Sequence, residues 1–106
     1  MTSITSGHSM TYKSPFGGEY QVALSRSTYK QGNRTALQLF DVEDGMPFAT
    51  CTVNLPEEPM EENEVAIKNH SENTGILDFL VENSIVDPPH RYVNSGFVTF
   101  PVCRLK

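Results

Sequence analysis

Phe48-Ala-Thr-Cys-Thr-Val-Asn-Leu55 alternates without a break. In an extended chain Ala49, Cys51, Val53 and Leu55 fall on one face and Thr50, Thr52 and Asn54 on the other, which is the period of a half-buried strand. Pro56 ends the run. Two earlier stretches share the period: Glu19 to Arg26 places Tyr20, Val22 and Leu24 together, opposite Gln21, Ala23 and Ser25, and Thr35 to Asp41 places Leu37 and Leu39 on one side. Gln31-Gly-Asn33 separates the first pair of stretches and Glu43-Asp-Gly45 the second, both rich in residues that tolerate positive φ. Three strands joined by two short turns predict an antiparallel meander.

Upstream of the meander, Met10 to Lys13 reads as a first strand and Ser14-Pro-Phe-Gly-Gly18 as a turn. Residues 1–10 are polar and are expected to form a flexible leader, with residues 11–106 a single α+β domain. Downstream, Pro56 to Glu62 is a glutamate-rich loop and Glu64 to Lys68 a short strand around Val65 and Ile67. Only one stretch has helical spacing: Ile76, Leu77, Leu80 and Val81 form a stripe flanked by Phe79. Ser71 or Asn73 is suited to cap its start, Glu72 to favour the dipole, and Asn83 to take a left-handed exit, which predicts about three turns. Asp87-Pro-Pro89 then breaks the chain. A last strand is expected from Gly96 to about Leu105, and Pro101 within it implies an edge position or a bulge. Together these predict a curved, mainly antiparallel sheet of five or six strands with one amphipathic helix packed on one face.

A chain of 106 residues suits one modest core. No apolar run approaches the ~20 residues that cross a bilayer. The first ten residues lack the basic start and apolar stretch of a secretory signal, so a cytoplasmic location is expected. Cys51 and Cys103, the only cysteines, both lie in strand-like stretches and are expected to be buried, reduced and inert. A bridge would require neighbouring strands with suitable geometry, which the sequence leaves open. His8, His70 and His90 are scattered and no CxxC spacing occurs, so neither a zinc site nor any other metal or cofactor is expected.

Charge is the most uneven property of the chain. Eight basic and thirteen acidic residues give a net charge of −5, and the whole excess comes from the middle third. Between Thr35 and Ile67 there is no Lys or Arg, but Asp41, Glu43, Asp44, Glu57, Glu58, Glu61, Glu62 and Glu64 are present. Such a field repels nucleic acid and attracts basic surfaces. Asp41-Val-Glu-Asp-Gly45 invites comparison with a cation-binding loop, but its glycine is fifth and no closing Glu follows, so a hairpin turn is the better reading. His90 and Arg91 could bind phosphate or move a proton, yet nothing nearby in sequence supplies a nucleophile or an acid partner. There is no GxSxG, P-loop, HExxH or GxGxxG motif, and no enzymatic activity is expected. The glutamate loop reads either as a solvated connection or as carboxylates spaced to meet Lys and Arg of a partner.

The run Asp44-Gly-Met-Pro-Phe-Ala-Thr-Cys-Thr-Val-Asn-Leu-Pro56, the helix Gly75-Ile-Leu-Asp-Phe-Leu-Val-Glu-Asn83 and the ending Ser95-Gly-Phe-Val-Thr-Phe-Pro-Val-Cys-Arg-Leu105 together resemble a family of small uncharacterised proteins. These are found on plasmids, conjugative elements and prophages of Gram-positive bacteria. The resemblance spans roughly Tyr20 to Leu105 and brings no catalytic residues with it. It implies a mobile genetic element as the setting, where small acidic proteins often counter host defence, as type II anti-CRISPR proteins do by occupying basic channels of an RNA-guided nuclease. The expected function is therefore a non-enzymatic nuclease inhibitor acting as a nucleic-acid mimic. The eight carboxylates would form its partner-binding site, with no direct nucleic-acid or membrane binding. The alternative is an accessory protein of a plasmid or conjugative element that acts as a protein–protein interaction module.

Overall fold

A computed structural model describes residues 3–4 and 9–106. The remainder of the expected leader, residues 1–2 and 5–8, lies outside the described residues. Nine strands are described: β1 (Ser3–Ile4), β2 (Met10–Lys13), β3 (Glu19–Thr28), β4 (Thr35–Asp41), β5 (Pro47–Thr50), β6 (Thr52–Val53), β7 (Glu64–Ile67), β8 (Arg91–Ser95) and β9 (Val98–Arg104). One α-helix, α1 (Ile76–Glu82), follows a short 3₁₀ turn at Ser71–Asn73. The expected class, mainly antiparallel strands with a single helix, is the one observed. The strands, however, are more numerous than expected and divide into two sheets. One sheet runs β1–β3–β4–β5 with β2 also on β3, and the other runs β6–β7–β9–β8.

The meander forms as its alternation predicts. Leu24 pairs with Leu39 and Arg26 with Leu37 across β3 and β4, which sets Val22, Leu24, Leu37 and Leu39 on one fully buried face. The expected third strand departs from the prediction at its centre. β5 pairs with β4, but at Cys51 the chain bends into the second sheet, where Thr52 and Val53 pair with Ile67 and Ala66. Cys51 is the pivot: its N–H bonds Leu37 O at 2.9 Å and its carbonyl accepts from Lys68 N at 2.8 Å. The Thr52 hydroxyl, buried beside it, accepts from Leu37 N and bonds Tyr29 Oη. Continuous alternation carries no mark of such a switch, because both halves keep a period of two.

One core lies between the two sheets and the helix. Val22, Leu24, Leu37 and Leu39 meet Val65, Ile67 and Cys103 from the second sheet, and Ile76, Phe79 and Leu80 from α1. Tyr12 joins them, edge-on to Phe48 and Phe79 at 5.5 and 5.3 Å. All four residues of β7 are buried, so the second sheet needs cover on both faces. A smaller cluster of Ala66, Val93, Phe100 and Val102 lies on its outer face, packed against Val53, Leu55 and Met60. The glutamate loop thus supplies apolar side chains as well as charge.

The helix is shorter than predicted. Its seven residues amount to two turns, and the proposed caps act otherwise. Asn73 is buried and its amide donates to Thr50 O and Lys68 O at 2.6 and 3.1 Å. Gly75, at φ 99°, begins the helix, and Asn69 Oδ1 receives Leu77 N at 2.9 Å. The left-handed exit is Ser84, at φ 59°, and Asn83 stays at φ −92°.

Pro101 does not mark an edge: β9 lies between β7 and β8. The β7–β9 ladder ends at Ala66–Val102, so Pro101 falls one residue beyond the last pair, where no N–H is required. Strand β8 itself was missed. Its paired residues run from Arg91–Val102 to Ser95–Val98 around a turn at Gly96.

Candidate functional site

The eight carboxylates expected to meet a partner fall into two groups with different environments. Asp41, Glu43 and Asp44 occupy the β4–β5 turn. Asp41 N bonds Met46 O and Gly45 N bonds Asp41 O at 2.9 and 2.8 Å, and Gly45 takes the positive φ, 71°, that the turn needs. The two aspartates brace the turn with their own side chains: Asp41 Oδ1 accepts from Glu43 N and Asp44 Oδ1 from Met46 N, at 2.8 and 2.9 Å. Val42 N also bonds Gln21 O at 2.9 Å, which ties the turn to β3. The turn is thus braced by its own hydrogen bonds, and it is the hairpin turn that its sequence predicted. Val42 and Met46 are 50 and 60% exposed, so apolar side chains stand among the carboxylates. Among the described residues no Lys or Arg pairs with Asp41, Glu43 or Asp44.

The loop from Pro56 to Glu64 is different. Glu64 opens β7 and is only 4% exposed. A buried carboxylate must be paired, and Arg91 supplies the charge: its Nη2 donates to Glu64 Oε1 at 3.1 Å and its Nε to Oε2 at 3.2 Å. His90 Nε2 bonds Oε2 as well, and Glu61 N donates to Oε1 at 2.8 Å. The Arg91 hydrogen bonds, reinforced by the Glu61 amide and His90, hold the Glu64 carboxyl at about 2 in spite of the opposing effect of burial. The same Arg91 reaches Glu58 Oε2 at 3.3 Å and Pro59 O at 2.9 Å, and its own pKa is raised by Glu64 first and Glu58 second. Arg104 pairs with Glu61 at 3.7 Å. Three of the five loop glutamates are thus tied to cations of β8 and β9. Glu57 and Glu62 are exposed and, among the described residues, have no ion-pair partner.

The two groups are not contiguous. Arg34 donates to Leu55 O and Asn54 to Gln31 O, so the glutamate loop begins beside the β3–β4 turn. The Asp41 turn lies at the other end of β4, whose seven residues span roughly 20 Å. Sequence reasoning brought the eight together by their proximity in the chain, and it missed the part played by His90 and Arg91. A buried Glu at the head of an apolar strand was the available signal, since it demands a cation from elsewhere.

Both cysteines are free and buried, as expected. Burial pushes the Cys51 thiol up to about 12 and, helped by Asp87, the Cys103 thiol up to about 11, which leaves no reactive thiolate. His70 stacks edge-on against Phe100 at 5.7 Å. His8 lies outside the described residues. Among the described residues no three His, Cys, Asp or Glu side chains converge as a metal site requires, and no helix is long and apolar enough to cross a membrane.

Two antiparallel sheets sharing a core with one helix, and an acidic turn at the surface, define a small α+β fold that presents charge. The profile of the Domain of unknown function (DUF4313) family matches residues 23–106, and the chain belongs to that family. No curated protein and no solved structure matches it.

Proposed function

We propose that this protein is a non-enzymatic binding module that engages a basic protein surface through the β4–β5 turn. The observation that carries the reading is the turn itself: three carboxylates without cationic partners among the described residues stand beside the exposed apolar side chains of Val42 and Met46 on a braced backbone. Interfaces gain affinity from apolar contacts at their centre, and charge at the rim speeds and orients encounter. A rigid turn loses little conformational entropy on binding. Glu57 and Glu62 would add long-range attraction from the far end of β4. A continuous phosphate-like row of eight carboxylates is not part of this reading, because Glu58 and Glu64 share Arg91 and Glu61 pairs with Arg104 within the chain.

The partner we propose is a nucleic-acid-binding surface of a host defence nuclease, with a type II RNA-guided effector first, reached in the bacterial cytoplasm by a protein of a mobile element. What supports this choice is the acidity of the chain and its resemblance to small proteins of plasmids and prophages. Alternatively the module serves plasmid transfer or maintenance. A DNA-cleavage assay with a purified type II effector separates the two. Inhibition at equimolar protein, lost when Asp41→Asn, Glu43→Gln and Asp44→Asn are combined, is the expected result. Absence of inhibition by the unaltered protein would remove the nuclease as its target.

A further inference from the structure

A second surface, distinct from the β4–β5 turn and independent of the reading above, lies along β8. In β9 the carbonyls of Arg104 and Val102 accept from Asp87 N and His90 N at 2.8 and 3.1 Å on one side, whereas Leu105 N donates to Asn63 O at 2.8 Å on the other. Alternate residues of β9 therefore face opposite neighbours. Arg91, Val93 and Ser95, which stand opposite Val102, Phe100 and Val98, direct their backbone groups inward, and Tyr92 and Asn94 direct theirs away from the sheet. Among the described residues nothing pairs with those outward groups. Between Tyr92 and Ser95 the edge has neither Lys nor Pro, the residues that usually protect an open strand. Tyr92 is 64% exposed, and Phe97 at the hairpin tip is fully exposed.

Beside this edge is a groove of about 590 Å³ lined by Asn54, Leu55, Pro56, Glu57, Val93 and Ser95, among others, a volume typical of ligand clefts. Leu55, Pro56 and Val93 give it apolar walls. Among the described residues, Asn54 Oδ1 is buried there without a hydrogen-bond partner, and Glu57 has no ion-pair partner.

We infer that β8 receives an extended, basic segment of another protein as an added antiparallel strand. Main-chain bonds to Tyr92 and Asn94 would supply the ladder, and alternate side chains, Lys or Arg among them, would enter the groove toward Glu57. Charge selects this occupant over a second copy of the chain, because self-pairing would bring two molecules of net charge −5 together at an edge flanked by Glu57.

The test is selection from a displayed random dodecapeptide library on the intact protein, followed by fluorescence anisotropy with the recovered peptides. Peptides with Lys or Arg at alternating positions should be enriched. Asn94→Pro removes the outward N–H and, within the molecule, only the exposed bond that the Thr99 hydroxyl donates to Asn94 Oδ1 at 2.6 Å, which Asn94→Ala removes alone. Asn94→Pro should therefore weaken binding by more than ~10-fold beyond Asn94→Ala while cooperative unfolding is retained. N-methylation of a peptide at alternate residues in one phase should abolish binding, and in the other phase should leave it nearly intact. Glu57→Gln should weaken binding about 3-fold and reduce its salt dependence. Failure to enrich any peptide, enrichment of acidic ones, or binding indifferent to both Asn94→Pro and N-methylation would overturn the assignment.

Discussion

The β4–β5 turn and the Pro56–Glu64 loop carry the same kind of side chain and use it in opposite ways. In the turn, Asp41 and Asp44 spend one oxygen each on backbone amides, and half-buried Asp41 and exposed Asp44 keep a charge that no cation among the described residues meets. In the loop, Glu58, Glu61 and Glu64 meet Arg91, Arg104 and His90, so three of its five carboxylates are engaged in fastening the loop over the outer face of the second sheet. Acidic composition alone therefore does not measure what a chain offers a partner. The deciding quantity is which carboxylates the fold has already paired.

This contrast can be broken at several points, most forcefully at Arg91. Arg91→Ala leaves Glu64 buried with only His90 and an amide, and should destabilise the fold by about 3 kcal/mol, lowering Tm by roughly 10 °C in a calorimetric scan. Loss of less than ~0.5 kcal/mol, the range of an ordinary surface change, would mean the pairing is ornamental. Glu64→Gln keeps the shape and one acceptor oxygen, and a cost near 2 kcal/mol by chemical denaturation is expected.

Acid should act on the same region. The folded-state pKa of Glu64, about 2, lies below its ordinary 4.5, so its contribution is present in full above the ordinary value. It is lost as pH falls from about 4.5 toward 2. Unfolding free energies from urea titrations across that range should decline by on the order of 2 kcal/mol more in the unaltered protein than in Glu64→Gln.

The turn should respond weakly in stability. Asp41→Ala removes an amide acceptor and should cost about 1 kcal/mol, whereas Asp41→Asn keeps an acceptor and should cost only a few tenths. At the small end of the scale, Glu57→Gln and Glu62→Gln should shift stability by less than ~0.5 kcal/mol. Equal effects of Asp41→Asn and Asp41→Ala on urea midpoints would contradict the bracing geometry.

Much of the fold was legible in local period. Leu24 opposite Leu39 follows from alternation and a Gly32 turn, and Asp44-Gly45 announces a hairpin. The bend at Cys51 was not legible, because a strand that changes sheets keeps its period of two while its partners change. Strand β8 escaped because Arg91, His90 and Pro89 read as loop residues, and its one buried apolar residue, Val93, is too few for a pattern. Pro101 misled because its tolerance depends on where the β7 ladder stops, a property of the partner strand. At the candidate site the residue types were visible, but their pairing across 26 and 27 residues from Glu64 to His90 and Arg91 was not.

Carbon-detected NMR titration of the Glu64 side chain measures the pairing itself. A midpoint at about 2, moving up on Arg91→Ala, is the result required if the loop's charge is held inside the molecule. A midpoint at the ordinary 4.5, unmoved by the substitution, would mean the loop glutamates are as free as those of the turn.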